Sequence, residues 1–356
     1  MGHGALATGR PTPRKVAVFR ALKLGDLLVA VPALRAIRAA PPAAEVVLIG
    51  LPWAREFADR FPHLLDGFRE FPGWPGLPER EPDVRRIPAF LAEMQAERFD
   101  LTIQLHGSGP VVNELCVLFG AKRTAGFYRP GEWCPDPDLF RPWPGRGLEL
   151  RRLLALTEFL GFPAYGELME FPVRGGDRKL AARLTGPCEG WFACVHPGAS
   201  APQRRWPAER FAATADALAA RGLRVVLTGT AAERELTAAV TAAMTTPALD
   251  LAGKTDLGPA AAVLARARLV VCNDTGVSHL AAAVDTPSVV VSTGDNPARW
   301  SPPDAARHRV LCRPGGWPDV SEVLAEADDL LSSTGLAPPA AAGPPAPRRG
   351  TPVASR

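Results

Sequence analysis

The sequence predicts an α/β protein made of two successive halves, each a parallel sheet with helices on both faces. Three observations carry that prediction. Short apolar runs alternate with segments of helical period. The alternation is interrupted by a Pro/Gly-punctuated stretch around 162–176 and starts afresh at 191. The polar residues able to do chemistry fall just after the apolar runs, and open α/β sheets place ligands beyond the carboxyl ends of their strands.

In the first half, "VAVFR" (16–20) reads as a strand, followed by a Gly-Asp turn and the helical pattern "LLVAVPALRAIRAA". "EVVLIG" (45–50) and "DLTIQL" (100–105) are further strands, with a helix over 84–99 between them. "PVVNELCVLFG" (110–120) reads as a helix ended by Gly120. Residues 129–147, dense in Pro, Gly and Trp, have no period and read as a long loop, and "LELRRLLALTEFLG" follows as a helix. In the second half, "WFACVHPG" (191–198) opens with a strand. Then come helix 207–221, strand 223–229, helices 231–244 and 257–267, and strands 268–274 and 287–293. An amphipathic segment over 320–333 closes the folded part. The division expected is a flexible leader 1–14, a first domain 15–165, a second 176–334 and a disordered tail 335–356, whose Pro, Ala, Gly and Arg offer almost nothing to bury.

Composition narrows the function class. A chain of 356 residues is long enough for two cores. Apolar residues make up 47% and charged ones 22%, and no run reaches the roughly 18–20 apolar residues needed to span a bilayer. The N-terminal stretch lacks the apolar region of a secretory signal, and cysteines 116, 134, 188, 194, 272 and 312 show no CxxC pairing. Reduced thiols and a cytoplasmic location are therefore expected. The net charge of +4, carried almost wholly by arginine, suits an anionic ligand or a membrane surface. It is too small to argue for nucleic acid, and no basic-aromatic stripe appears.

The most informative stretch is "VCNDTGVSHLAAA" (271–283), in which Asp274, Thr275, Gly276 and His279 gather at the mouth of a helix. Unpaired backbone N–H groups and the helix dipole favour an anion there. Glycine admits an oxygen close to the backbone, and His279 lies one turn up on the face of Thr275. The same residues also suit a plain helix cap with a buried histidine. Around "FRALKLGDLLVAVPAL" (19–34) no GxGxxG fingerprint is present. Gly25 permits a tight turn, and Asp26 then stands in the first turn of a helix, as a general base or as a carboxylate favoured by the dipole. In "VHPGASAPQRRWPAERF" (195–211), Arg204 and Arg205 could neutralise a diphosphate or belong to a solvated loop anchored by Trp206. Lys23, His106 and Ser108 follow the first-half strands, as Thr228 and Gly229 follow one in the second. "DPD" (136–138) lies in the Pro-rich loop rather than at a strand end, His63 and His308 stand alone, and no His/Cys cluster has zinc spacing.

Taken in order, "LKLGDLLVAVPAL", "FDLTIQLHGSGP…FGAKRTAGF" (99–127), "VHPGAS…RRWP" (195–207), "VVLTGTAAERE" (225–235) and "CNDTGVSHLAAA" resemble the heptosyltransferases of glycosyltransferase family 9. The resemblance implies a GT-B fold, two Rossmann-like domains facing across a cleft, with acceptor on the N-terminal side and nucleotide-sugar on the C-terminal side. It implies metal-independent, inverting transfer without a cofactor, from a nucleoside-diphosphate sugar such as ADP-heptose to a glycan or glycolipid of the cell envelope. Asp26 then takes the place of the base. Arg204, Thr228, Gly229, Glu233, Asp274, Thr275, Gly276 and His279 take the donor side, with Arg204 where the family often carries a lysine. Lys23, Gly25, His106, Ser108, Lys122 and Arg123 are acceptor-side candidates. A peripheral contact with the inner membrane, and no nucleic-acid partner, complete the expectation. A non-catalytic nucleotide-sugar-binding scaffold is the competing reading.

Overall fold

The computed structural model describes residues 12–186, 191–293, 296–313 and 315–333. In the first half the chain forms β1 (Lys15–Phe19), α1 (Leu24–Leu28), α2 (Val31–Ala39), β2 (Glu45–Gly50), α3 (Ala54–Arg60) and β3 (Gly67–Glu70). It continues through α4 (Ile87–Ala96), β4 (Leu101–Gln104), α5 (Val111–Leu118), β5 (Thr124–Tyr128), β6 (Phe140–Pro142) and α6 (Glu149–Phe159). After the connecting segment come α7 (Gly175–Thr185), β7 (Phe192–His196), α8 (Ala208–Ala220), β8 (Arg224–Leu227), α9 (Arg234–Ala243) and β9 (Ala248–Asp250). The series ends with α10 (Leu257–Arg266), β10 (Leu269–Asn273), α11 (Gly276–Ala283), β11 (Ser288–Ser292), α12 (Pro297–Trp300), β12 (His308–Cys312) and α13 (Val320–Ser333).

Two six-stranded sheets result, ordered β3-β2-β1-β4-β5-β6 and β12-β11-β10-β7-β8-β9. Every pairing in them is parallel. Counted from its own first strand, each sheet has the doubly wound order 3-2-1-4-5-6, so the strand order reverses between β1 and β4 and again between β7 and β10. Those two reversals open the crevices where such folds bind ligands. Central strands are buried on both faces, as crossover helices require, and so read as continuous apolar runs: VAVF, VVLI, FACV, LVVC and SVVV. Cys194 and Cys272 lie within these strands, where burial pushes both thiols far above their ordinary range.

The parallel two-sheet fold expected from the sequence is therefore present, with additions. Strands β3, β5, β6, β9 and β12 and helix α7 carry no clear period in the sequence. Four of those strands, β3, β6, β9 and β12, are the edge strands of the two sheets, three to five residues long with half-exposed positions, so no full alternation develops. β6 lies inside the Trp/Pro-rich segment read as loop, and the helix expected over 231–244 begins as a 3-10 turn (Ala231–Glu233). Residues 1–11 of the expected leader and the whole expected tail, 335–356, lie outside the described residues, as does residue 334. Arg14 is tied in place, its backbone N–H donating to Asp100 Oδ2 at 2.7 Å.

A buried ion pair fastens the halves on the α3 side. Arg60 at the end of α3 donates to Asp177 of α7 at 2.7 Å, and both side chains are nearly excluded from solvent. Its guanidinium lies flat over Gly258, where even a methyl group would collide with it. Arg60→Ala is expected to lower stability by about 1–3 kcal/mol, because it leaves the Asp177 carboxylate with only the Arg174 N–H and charge to satisfy it; urea unfolding measures this, and an unchanged midpoint would remove the pair from the account.

Candidate active site

The cleft between the sheets, about 170 Å³, is lined by Lys23, Gly25, Asp26, Ser200, Arg204, Asp274, Thr275, Gly276, His279 and Trp300. It lies at both strand-order reversals at once. The β1 reversal supplies the N-terminus of α1, and the β10 reversal supplies the N-terminus of α11. These two helix starts touch. A Cβ on Gly25 would stand 2.7 Å from His279 Cδ2 and 3.4 Å from Gly276 Cα, and one on Gly276 would stand 3.3 Å from the Gly25 nitrogen. Gly25 is helical and buried, so the tight turn expected there is not what requires glycine. Close approach of the two halves requires it.

Asp26 sits in the first turn of α1, its Oδ2 accepting the Lys23 backbone N–H at 3.2 Å. Burial raises its pKa, opposed by the nearby Arg20 charge and assisted by Glu149. Across the cleft, Thr275 is the N-cap of α11 but makes no side-chain capping bond, which leaves its hydroxyl available at the helix mouth. His279 is 4% exposed, and its Nδ1 has no hydrogen-bond partner among the described residues. Burial, helped by the charge of His308, lowers its pKa to about 4. It is thus a neutral imidazole at pH 7, able to donate one N–H without carrying charge.

Arg204 ends a 3-10 turn (Pro202–Arg204) and lines the cleft. Its neighbour turns inward instead, Arg205 Nε donating to the Ala199 carbonyl at 2.9 Å, so the two arginines divide between ligand cleft and scaffold. Asn273 fastens the loop beside them. Its Oδ1 accepts the Trp206 backbone N–H at 2.9 Å and its Nδ2 donates to the Pro197 carbonyl at 2.8 Å. Thr228 bonds His196 Nδ1 at 3.2 Å. Glu233 accepts both the N–H and the hydroxyl of Thr230, at 2.8 and 2.9 Å. Its carboxylate lies in the space a side chain on Gly198 would need, and Gly229 packs against its Cβ. Thr228, Gly229 and Glu233 therefore form a second small cluster behind Gly198.

The acceptor-side candidates separate. His106 is buried behind Asp26: its Nδ1 accepts the Ala21 N–H at 3.2 Å, its Nε2 faces Glu79 at 3.3 Å, and its ring stacks on Phe19. Ser108 accepts from Arg129 at 2.9 Å. Lys122 and Arg123 fall elsewhere. Lys122 pairs with Asp100 at 2.7 Å and the Arg123 carbonyl accepts the Thr102 N–H; both are at the amino ends of β4 and β5, the edge opposite the cleft. Their positive charge was legible in the sequence, but not the end of the sheet to which it belongs. Ser200, Trp300 and the buried arginine Arg20, at the end of β1, join the site unannounced; only Arg20's place directly after an apolar strand could have flagged it. "DPD" forms a local turn, with Asp138 N–H bonded to Asp136 Oδ1 at 2.9 Å. Among the described residues no group of three or more His, Cys, Asp or Glu is arranged to hold a metal, and no helix is long and apolar enough to cross a membrane.

Comparison with known proteins gives three findings. Residues 147–322 match the family described as glycosyltransferase family 9 (heptosyltransferase). A 120-residue stretch is 35% identical to lipopolysaccharide heptosyltransferase 2 of Salmonella typhimurium, spanning 32% of this chain and about a third (34%) of that protein's length. Two solved structures share the fold over nearly their whole length. A family 9 glycosyltransferase from Veillonella parvula superposes with a TM-score of 0.76 at 21% identity, covering 94% of this chain and 99% of that one. The E. coli ADP-heptose lipopolysaccharide heptosyltransferase II gives 0.72 at 22%, covering 90% and 100%. The GT-B architecture expected from the sequence is thus the architecture found.

Two outcomes are expected of the helix contact. Gly25→Ala should cost about 1–3 kcal/mol by overpacking against His279, read by thermal unfolding; an unchanged midpoint would mean the halves are not held this close. Between about 4 and 6.5 the unfolded chain binds a proton at residue 279 that the folded chain does not. Stability should therefore fall as pH drops from about 6.5 towards about 4, and His279→Asn should flatten that fall.

Proposed function

From the kinship of this chain with glycosyltransferase family 9, we propose that it transfers a sugar from a nucleoside-diphosphate donor to a glycan or glycolipid of the cell envelope, inverting the anomeric carbon. The observation that carries the reading is the meeting of a half-buried carboxylate, Asp26, with a helix mouth and an arginine, Thr275–Gly276 and Arg204, across one cleft. Residues 176–334 are the donor domain and 15–165 the acceptor domain. ADP-heptose is the donor we favour, since the name of the E. coli structural relative carries it. A cytoplasmic site of action, peripheral at the inner face of the membrane, follows from that acceptor class.

The mechanism is a single displacement. The acceptor hydroxyl oxygen bonds to the anomeric carbon while the bond from that carbon to the phosphate oxygen breaks, its electron pair leaving with the diphosphate. Asp26 takes the hydroxyl proton. Burial raises its pKa, which strengthens it as a base as long as it stays ionised; such proton transfer contributes roughly 10²–10⁴-fold. Charge develops on the departing diphosphate. The free N–H groups at the start of α11, the Thr275 hydroxyl, the neutral His279 and the Arg204 cation stand ready around it, so the stabilisation is organised before the reaction begins. These groups do the work a metal would otherwise do. In this reading Thr228, Gly229 and Glu233 receive the nucleoside, and Lys23, Gly25, His106 and Ser108 serve the acceptor side.

Asp26→Asn should reduce kcat for transfer by about 10²–10⁴-fold while ADP binding, measured by calorimetry, stays within twofold. Retained transfer would remove Asp26 as the base, whereas ADP binding with no transfer by the unaltered protein would favour the non-catalytic scaffold. Arg204→Gln should weaken ADP about tenfold or more, as expected for loss of a charge-assisted contact. Transfer should persist in EDTA; its loss, with rescue by Mg²⁺, would overturn the metal-independent reading.

A further inference from the structure

One cluster of charge surrounds Asp26 with residues that have no part in the reaction described above. Arg20, Asp26, Glu149, Arg152 and Arg299 meet at the edge of the cleft. Arg20 is wholly excluded from solvent. Its Nε donates to the Asp26 main-chain oxygen at 2.6 Å, and its Nη1 donates to the Leu105 main-chain oxygen. Its Nη2 lies 3.8 Å from Asp26 Oδ1 and 3.7 Å from Glu149 Oε1. One guanidinium is thus placed evenly between two carboxylates.

Glu149, at the start of α6, is only 1% exposed yet has further partners. Arg152 Nη1 is 3.3 Å away, and Arg299 Nε donates at 2.9 Å. Arg299 belongs to α12 in the second half of the chain, so this contact crosses between the halves. Its guanidinium lies over the Trp300 and Trp143 rings, and Arg152 also lies over Trp143. The Trp/Pro-rich segment that no motif explained therefore holds two arginines against one glutamate.

Glu149 and Asp26 compete for the field of Arg20. Burial presses Glu149 toward the neutral form, but Arg20, Arg299 and Arg152 together keep its pKa below the usual value. With Arg299 in place, Glu149 draws less on Arg20. Without it, Glu149 leans on Arg20, and its uncompensated charge acts on Asp26.

We propose that Arg299 is a positioning residue for Asp26: by matching Glu149 from across the cleft it leaves more of the Arg20 charge to the base, and so offsets the burial that docking imposes on that base. This rests on the reading of Asp26 as base. The other groups facing Asp26 are Lys23 on its own helix, His106 after β4, and Arg204, Asp274 and His279 across the cleft. None of them changes in the comparison that follows.

The test is a ¹³C-carboxyl NMR titration of Asp26 in the full-length protein, its resonance identified by loss in Asp26→Asn. Arg299→Gln should raise the midpoint by about one pH unit, since a direct ion pair shifts a carboxyl by about one to three units and this one acts at one remove. Arg299→Lys should hold it near the wild-type value. Adding Glu149→Gln to Arg299→Gln should return it to the wild-type value or below. Opening or unfolding would hydrate Asp26 and move its midpoint down towards about 3.9, so damage moves the reading the other way. An unchanged or lowered midpoint in Arg299→Gln, or one still raised in the double substitution, overturns the proposal. Transfer by Asp26→Asn judges the base separately: if that variant still transfers sugar while the midpoints move as expected, the base reading falls and the electrostatic link stands.

Discussion

The close approach of two helix N-termini, α1 and α11, is the constraint on which the rest of the site depends. Gly25 and Gly276 lie against each other, with the His279 ring beside them. Any side chain at either position would push the halves apart. Because each helix starts at the strand-order reversal of its own sheet, the contact brings two ligand crevices into one. A single doubly wound sheet supplies one such crevice. Two sheets joined here supply a cleft with a carboxylate on one wall and a helix mouth on the other.

Electrostatics then give the walls different characters. On the α11 wall, burial keeps His279 neutral, so the positive potential comes from backbone dipoles and Arg204. On the α1 wall, Asp26 is under the opposing pulls of burial, Arg20 and Glu149. Glu149 in turn is held by Arg299 from the opposite half. Arg60–Asp177 and Glu149–Arg299 are both buried ion pairs joining the halves, and only the second reaches a group in the cleft.

Much of this was legible in the sequence, for identifiable reasons. Strands buried on both faces show as VVLI or LVVC whatever their surroundings, and polar residues that follow such runs fall at the ligand edge. Asp26 and the 274–279 cluster could be placed on that ground alone, and Arg204 only through the resemblance to family 9. Edge strands such as β6 and β9 were not legible, because three residues with partial exposure leave no periodic trace. Lys122 and Arg123 showed charge without showing which end of a strand carried it. The cluster of Arg20, Glu149 and Arg299 was out of reach for a different reason. Its members are separated by more than a hundred residues along the chain: folding of the first half brings Arg20 to Glu149, and only the docking of the halves adds Arg299. The role of Gly25 shifted likewise, from turn former to contact surface, since its neighbour is 251 positions away.

The central claim is that the diphosphate of the donor rests at the mouth of α11, facing Asp26. Backbone amide NMR of the full chain titrated with ADP tests it most directly. The largest shifts should fall on the amides of Thr275, Gly276 and Val277, with smaller ones at Arg204 and at Leu24–Asp26 opposite. Shifts confined to the first sheet, or to the loops beyond β2 and β3, would contradict the account.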